Sequence, residues 1–205
     1  MVRKTLLRFS ESLNSVLLVT SMISLLEGKN CRRDPDARSL SFYATQSVLH
    51  VRAKLLDELK ACGLLVRKNT RLCLHSSPDD PLHEMIIVQF WENFFPPKRH
   101  PTKAKSFHVL EGELGVFVFA DDGNVIDAAR LKPKDSIAYR VGAGLYHADI
   151  PLTDYSIHIE TTTGPFVGER DRILAPWAPA LDDALAREQF RSRMLQMLKS
   201  SSSTT

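Results

Sequence analysis

Lys98-Arg99-His100-Pro101-Thr102-Lys103-Ala104-Lys105-Ser106-Phe107-His108-Val109-Leu110-Glu111-Gly112 is the stretch on which the reading of the fold turns. It leaves a proline-rich segment, Phe94-Phe95-Pro96-Pro97, and runs into Ser106 to Leu110, where apolar and polar side chains alternate. A period of two puts Phe107 and Val109 on one face of a strand and His108 on the other, so His108 is expected to point outward. Beyond Glu111-Gly112 comes Leu114 to Ala120, then Asp121-Asp122-Gly123-Asn124, then Val125 to Leu131. Asp-Gly and Gly-Asn pairs supply the positive φ of a tight turn, so this is a hairpin.

Working outward, Arg71 to Leu74, Glu84 to Trp91, Ser136 to Val141 and Tyr155 to Glu160 read as further short strands. Many short strands with frequent turns and no helices between them predict an all-β core, a sandwich or barrel. Helices are expected on both flanks. Leu6, Leu7, Phe9, Leu13, Val16 and Leu17 recur at helical spacing, predicting an amphipathic helix over residues 3–26. Its apolar run is interrupted by Thr20, Ser21 and Ser24 and is far shorter than the ~20 residues that cross a bilayer. Gly28 to Arg38 reads as a linker, and Val51 to Cys62 as a short helix with Gly63 just past its end. After Ala175-Pro176-Trp177-Ala178-Pro179, the residues Leu181, Leu185, Met194, Leu195 and Leu198 predict a C-terminal helix, and Ser200 to Thr205 a polar tail. The expected organisation is an N-terminal extension (1–39), one barrel domain (40–180) and a C-terminal helix with tail (181–205).

The chain has 205 residues, 43% hydrophobic and 25% charged, which excludes collagen-like, wholly disordered and polytopic membrane classes. A formal charge of +3 gives no clustered basic face for nucleic acid. Neither nucleic acid nor membrane is expected as a partner. Cys31, Cys62 and Cys73 have no Cys-x-x-Cys spacing, so reduced thiols and a cytoplasmic setting are expected.

Two histidines lie where a Gly/Pro-rich turn meets a β-segment: His100, and His147 at the end of Gly142-Ala143-Gly144-Leu145-Tyr146-His147. The spacing from Lys98 to Gly112 resembles the first motif of the cupin superfamily (His-x-His, four residues, Glu, six residues, Gly). Gly142 to His147 resembles the second, with Gly in place of Pro. Arg71 to His75, Asp79 to Met85, Ser106 to Gly112, Glu160 to Phe166 and Ala175 to Pro179 are similar, in order, to segments of WbuC-type cupin-fold metalloproteins. The likeness spans roughly residues 40–180. It implies a double-stranded β-helix (jelly-roll) barrel, an expected homodimer, and a link to polysaccharide metabolism of the O-antigen kind.

The resemblance also implies four metal-binding positions, and here they read Lys98, His100, Lys105 and His147. A charged lysine has no lone pair and cannot ligate. Only the two histidines remain, with Glu160, His158 or His83 as sources of a third ligand. His158 and Glu160 share one strand face and Ile157 and Ile159 the other, and periodicity does not say which face looks inward. His75 and His83 read as hydrogen-bonded structural histidines, and Lys103 as a solvated surface residue.

Three functions follow. One is a metal-dependent cupin enzyme of carbohydrate metabolism, with His100, His147 and Glu160 on a divalent transition metal (iron, zinc, manganese or nickel). Another is a metal-free barrel that takes an anionic small molecule, a carboxylate or sugar phosphate, between Lys98 and Lys105 beside His100 and His147, with Tyr139 or Arg140 nearby. In that pocket the lysines would keep the histidines neutral and able to act as bases. The third is a structural or interaction protein.

Overall fold

The computed structural model describes residues 20–21 and 26–201. The helix expected over residues 3–26 lies almost wholly outside them, as does most of the C-terminal tail. Among the described residues twelve strands form two sheets. In chain order they are β1 (Cys31–Asp34), β2 (Leu40–Ala44), β3 (Thr70–Cys73), β4 (Leu82–Phe90), β5 (Lys98–Arg99), β6 (Lys105–Glu111), β7 (Leu114–Phe119), β8 (Val125–Leu131), β9 (Ala138–Val141), β10 (Tyr146–Pro151), β11 (Tyr155–Thr163) and β12 (Ile173–Leu174). Helix α1 (Ala53–Val66) lies between β2 and β3, and α2 (Ala184–Ser201) follows the last strand.

One sheet has the order β1-β2-β3-β4-β11-β6-β9 and the other β12-β5-β10-β7-β8. From β4 to β11 the chain switches repeatedly between them, and only β7 and β8 are sequential neighbours. That winding of four strands against four is a jelly roll. Strands β1, β2 and β3 widen one sheet, through a parallel β2–β3 pair, and β12 widens the other. The fold is therefore the expected all-β jelly-roll core with flanking helices.

The two sheets pack through Phe107, Val109, Leu114, Val116, Val118, Leu131 and Val141, all buried. Part of each outer face is also covered. Helix α1 lays Leu55, Leu59 and Cys62 on Phe42, Leu72, Ile86, Val88, Phe90 and Ile157. Helix α2 lays Phe190, Met194 and Leu198 on Phe117, Phe119, Tyr146 and Ile150. Because β7 and β10 are buried along their whole length, alternation alone could not tell inside from outside there.

Several local expectations change. Gly28 to Arg38 is not simply a linker, because Cys31 to Asp34 pairs antiparallel with Ser41 to Ala44 and Cys31 is buried. Gly63 lies inside α1, where a Cβ would come within 3.2 to 3.4 Å of Thr70, Val88 and Phe90, so its role is close packing of helix on sheet. The helix ends at Arg67 instead, in the left-handed region at φ 49°. Strand β10 was not expected as a strand. In α2 the buried face is carried by Phe190, Met194 and Leu198, while Leu181 and Leu185 are exposed and Asp183 Oδ1 accepts the Ala186 N–H at 2.9 Å as the N-cap.

Candidate functional site in the barrel interior

Strand register decides which side chains meet. On β6, Lys105 and Phe107 face inward with Val109, and Phe107 is opposite Glu160 while Val109 is opposite His158. The polar pair of β11 therefore points into the barrel. Ile157 and Ile159 take the other face, where α1 covers them. On the second sheet His147 is opposite Val118 and Asp149 opposite Val116, so both also face inward. Lys98 of β5 is opposite His147, which puts its side chain on the same inward face. His100 follows directly, held by the turn before β10: Gly144 donates its N–H to the His100 carbonyl at 2.8 Å. Gly144 has φ 78°, a conformation in which a Cβ would be strained.

The interior is thus polar along one side. His147, His158 and Lys105 are 2%, 0% and 5% exposed. Lys105 Nζ donates to Glu160 Oε1 at 3.0 Å. Lys98 is half-buried, its ammonium 5.5 Å from the centre of the Phe95 ring, and no carboxylate lies within ion-pair distance of it among the described residues.

Two of the interior imidazoles, His100 and His147, are each fixed in one tautomer. His100 Nδ1 is 2.6 Å from the Asp171 carbonyl and His147 Nδ1 is 3.0 Å from the Leu145 carbonyl. A carbonyl only accepts, so Nδ1 carries the proton in both rings and Nε2 keeps its lone pair. The Nε2 atoms of His100, His147 and His158 are all buried without a protein hydrogen-bond partner. The rings of His100 and His147 are 5.7 Å apart between centroids.

Electrostatics follow from burial and from the two lysines. Burial, reinforced by Lys105, brings His100 down to about 4 against the opposing pull of the Asp171 hydrogen bond. Burial with both lysines brings His147 down to about 3. His158 is lowered too, chiefly by burial. For Glu160 burial alone would raise the pKa, but Lys105 and Lys98 outweigh it and hold the carboxyl at about 2. Lys98 is lowered by burial and by Lys105 beside it. At neutral pH the interior therefore holds neutral imidazoles and an ionised Glu160.

The other expected residues are placed elsewhere. Tyr139 is on the inward face opposite Phe107, but its hydroxyl donates to Asp127 Oδ2 at 2.5 Å on β8. Arg140 is opposite Ser106 on the outward face and is exposed. His108 is exposed, as alternation implies. His75 and His83 stack on each other at 4.2 Å, with His75 Nδ1 accepting the Glu84 N–H and His83 Nε2 near the Pro78 carbonyl, so both are structural. Lys103 corrects the surface expectation. Its side chain is 12% exposed, pairs with Asp171 Oδ1 at 2.5 Å and donates to the Pro165 carbonyl.

Asp171 is the residue sequence reasoning missed. It sits at the end of a 3-10 turn, Gly168–Asp171, and orients His100 through its carbonyl while its carboxylate takes Lys103 and the Val167 N–H. No pattern in the sequence marks it, since His100 and Lys103 are about 70 residues away. Asp149, two residues after His147, could have been found by the period of two.

A metal was implied by the resemblance, and the donor set tests it. Three orphaned Nε2 atoms are what a metal site would offer, with Nδ1–H groups anchored behind two of them. Against this, Lys105 takes Glu160, and no three His, Cys, Asp or Glu side chains among the described residues are grouped to hold an ion. As they stand, these residues do not fit a metal.

The chain is similar in part to known proteins. Residues 51–131 match a family described as a domain of unknown function (DUF6016), less than half of the chain. That match takes in Lys98, His100 and Lys105 but ends before His147 and Glu160. No curated protein sequence matches. Among solved structures, the capsular polysaccharide assembling protein CapF from Staphylococcus aureus is similar at TM-score 0.44 and 15% identity, over 52% of this chain and 31% of CapF. The L-ribose isomerase of Cellulomonas parahominis is similar at TM-score 0.43 and 15% identity, over 54% of this chain and 70% of the isomerase. Procruciferin, an 11S globulin from Brassica napus, gives TM-score 0.36 and 15% identity over 42% of this chain and 21% of its own. This chain thus spans under a third of CapF.

Proposed function

We propose that the barrel interior binds an anionic small molecule, a carboxylate or phosphate ester, without a metal. The observation that carries this reading is Lys98. Its side chain faces inward beside a second ammonium, Lys105, with no carboxylate in contact. Asp149 and Glu160 act on this ammonium only from beyond ion-pair distance. A partly desolvated cation with no carboxylate in contact is costly, and an incoming anion offsets that cost. The neutral imidazoles of His100 and His147 add two lone pairs that can accept a hydroxyl or take up a proton. A sugar acid or sugar phosphate has both an anion and hydroxyls, in keeping with the carbohydrate link of the motif resemblance. A metal-dependent enzyme is the second reading, favoured by the unpartnered Nε2 atoms and opposed by the Lys105–Glu160 pair.

Calorimetric titration of the purified chain with inorganic phosphate, glucuronate and glucose 6-phosphate tests it. Binding of an anion that weakens roughly tenfold in Lys98→Met, while neutral glucose does not bind, is the expected result. Equal binding of neutral and anionic sugars, or none, would reject the reading.

A further inference from the structure

Of the two lysines that face into the barrel, Lys105 is hydrogen-bonded to Glu160, and Lys98 touches no carboxylate among the described residues. Lys98 is also only half-buried, so it is not sealed from an incoming molecule. Burial, Lys105 and Arg172 disfavour its ammonium form, and outweigh Asp149 and Glu160, which favour it from longer range. An amine eased out of its charged form by a neighbouring cation is a nucleophile toward carbonyl carbon. Two bases share its surroundings. His147 is its cross-strand partner on β10, and His100 lies two residues further along its own strand, so the three side chains take the same inward face. Both rings hold their proton on Nδ1 and keep an unpartnered lone pair on Nε2. Both also feel the charge of Lys98, which helps to keep them neutral.

We propose that Lys98 is a covalent anchor, whose amine condenses with the aldehyde or ketone of a small anionic carbonyl compound, an open-chain sugar phosphate or a keto acid, to form an imine. This rests on the anion-binding reading above and adds what the anion must carry. As the amine lone pair forms the C–N bond, the carbonyl π pair moves to oxygen. The excess proton on nitrogen passes to an Nε2 lone pair of His100 or His147 and from there to the oxygen, giving a neutral carbinolamine. The nitrogen lone pair then closes C=N while the C–O bond breaks, and the hydroxyl leaves as water with the proton that the ammonium had released at the outset. In sum, an ammonium and a carbonyl give a protonated imine and one water, with no change of oxidation state. The product keeps a positive charge on nitrogen, so the anionic group does not lose its counter-ion. Lys105 is unsuited to this part, being 5% exposed and tied to Glu160.

Full-length chain is incubated with sodium cyanoborohydride and pyruvate, dihydroxyacetone phosphate or neutral dihydroxyacetone, then digested and mapped by mass spectrometry. Cyanoborohydride delivers hydride to a protonated imine and leaves a stable secondary amine on the lysine that formed it. Lys98 is expected to carry the adduct at roughly ten times the level of exposed Lys54 and Lys134, and of buried Lys105. An anionic carbonyl compound should label Lys98 roughly tenfold more than dihydroxyacetone does, and added inorganic phosphate should suppress that labelling. Labelling by pyruvate supports a keto acid as the ligand, and labelling by dihydroxyacetone phosphate a sugar phosphate. Lys98→Arg keeps the charge without the reactive amine, so its adduct should vanish while phosphate affinity falls less than in Lys98→Met. Lys98 labelled no more than Lys54 and Lys134 overturns the proposal; phosphate binding that persists in calorimetry then leaves the anion reading standing alone. Labelling of Lys98 by dihydroxyacetone as strong as by either anion also overturns it, through the anion reading on which it rests. The wild-type map decides the matter even where a variant does not fold.

Discussion

Glu160→Gln leaves the Lys105 ammonium buried without its counter-ion, and removing one partner of a buried pair typically costs about 3 kcal/mol or more. The expected outcome is a clear drop in the urea midpoint of Glu160→Gln, with the double variant Lys105→Met/Glu160→Gln recovering much of it in metal-free buffer. A double variant as unstable as the single one would show that the pair is not what stabilises this region. At this scale the sequence was legible for identity and blind to partnership. The spacing from Lys98 to His147 picked out two lysines and two histidines that the fold brings to one interior. It could not show that Lys105 reaches Glu160 across 55 residues, that Asp171 orients His100, or that Tyr139 is turned to Asp127.

Helix α1 is held to its sheet by apolar contact, and Leu59, fully buried among Phe42, Leu72, Val88 and Phe90, is central to it. Leu59→Ala should destabilise the chain by about 3 kcal/mol, as large-to-small changes in packed cores do. Thermal unfolding would check this, and a loss under 1 kcal/mol would mean that the helix contributes little. The same cover explains the strand that sequence left ambiguous. Tyr155 to Glu160 alternates apolar and polar side chains, which ordinarily means one wet face, yet Ile157 is sealed by α1 and His158 by the opposite sheet. Strands β5, β10 and β12 escaped notice for a related reason. Two of them are two residues long, and β10, Tyr-His-Ala-Asp-Ile-Pro, carries polar residues on its inward face.

The whole molecule should lose stability as the solution is acidified, in two stages whose signs follow from the shifts. His100 and His147 have folded pKa values of about 4 and about 3, below the ordinary histidine value of 6.5. The unfolded chain therefore takes up protons first, and stability falls from pH 6.5 down toward pH 4. Glu160, held at about 2, adds a second loss as pH drops from its ordinary value of 4.5 toward 2. Melting temperatures measured from pH 8 to pH 4 should be flat above pH 7 and decline below 6.5, with a shallower decline in His147→Gln. A profile flat to pH 5 would contradict burial of neutral imidazoles. Anion binding should weaken as salt rises, but less than for an exposed site, because the lysines are shielded by the barrel walls.

By itself the sequence determined the all-β core, its hairpin, the flanking helices and the short list of basic and imidazole side chains, because these rest on local spacing and on turn chemistry. Only the tertiary structure decided which face of β11 is inside, that Lys103 is an ion-paired strut, and that Lys105 is bound to Glu160. Those outcomes depend on strand register between residues far apart in the chain and on cover supplied by other elements. Local periodicity contains neither.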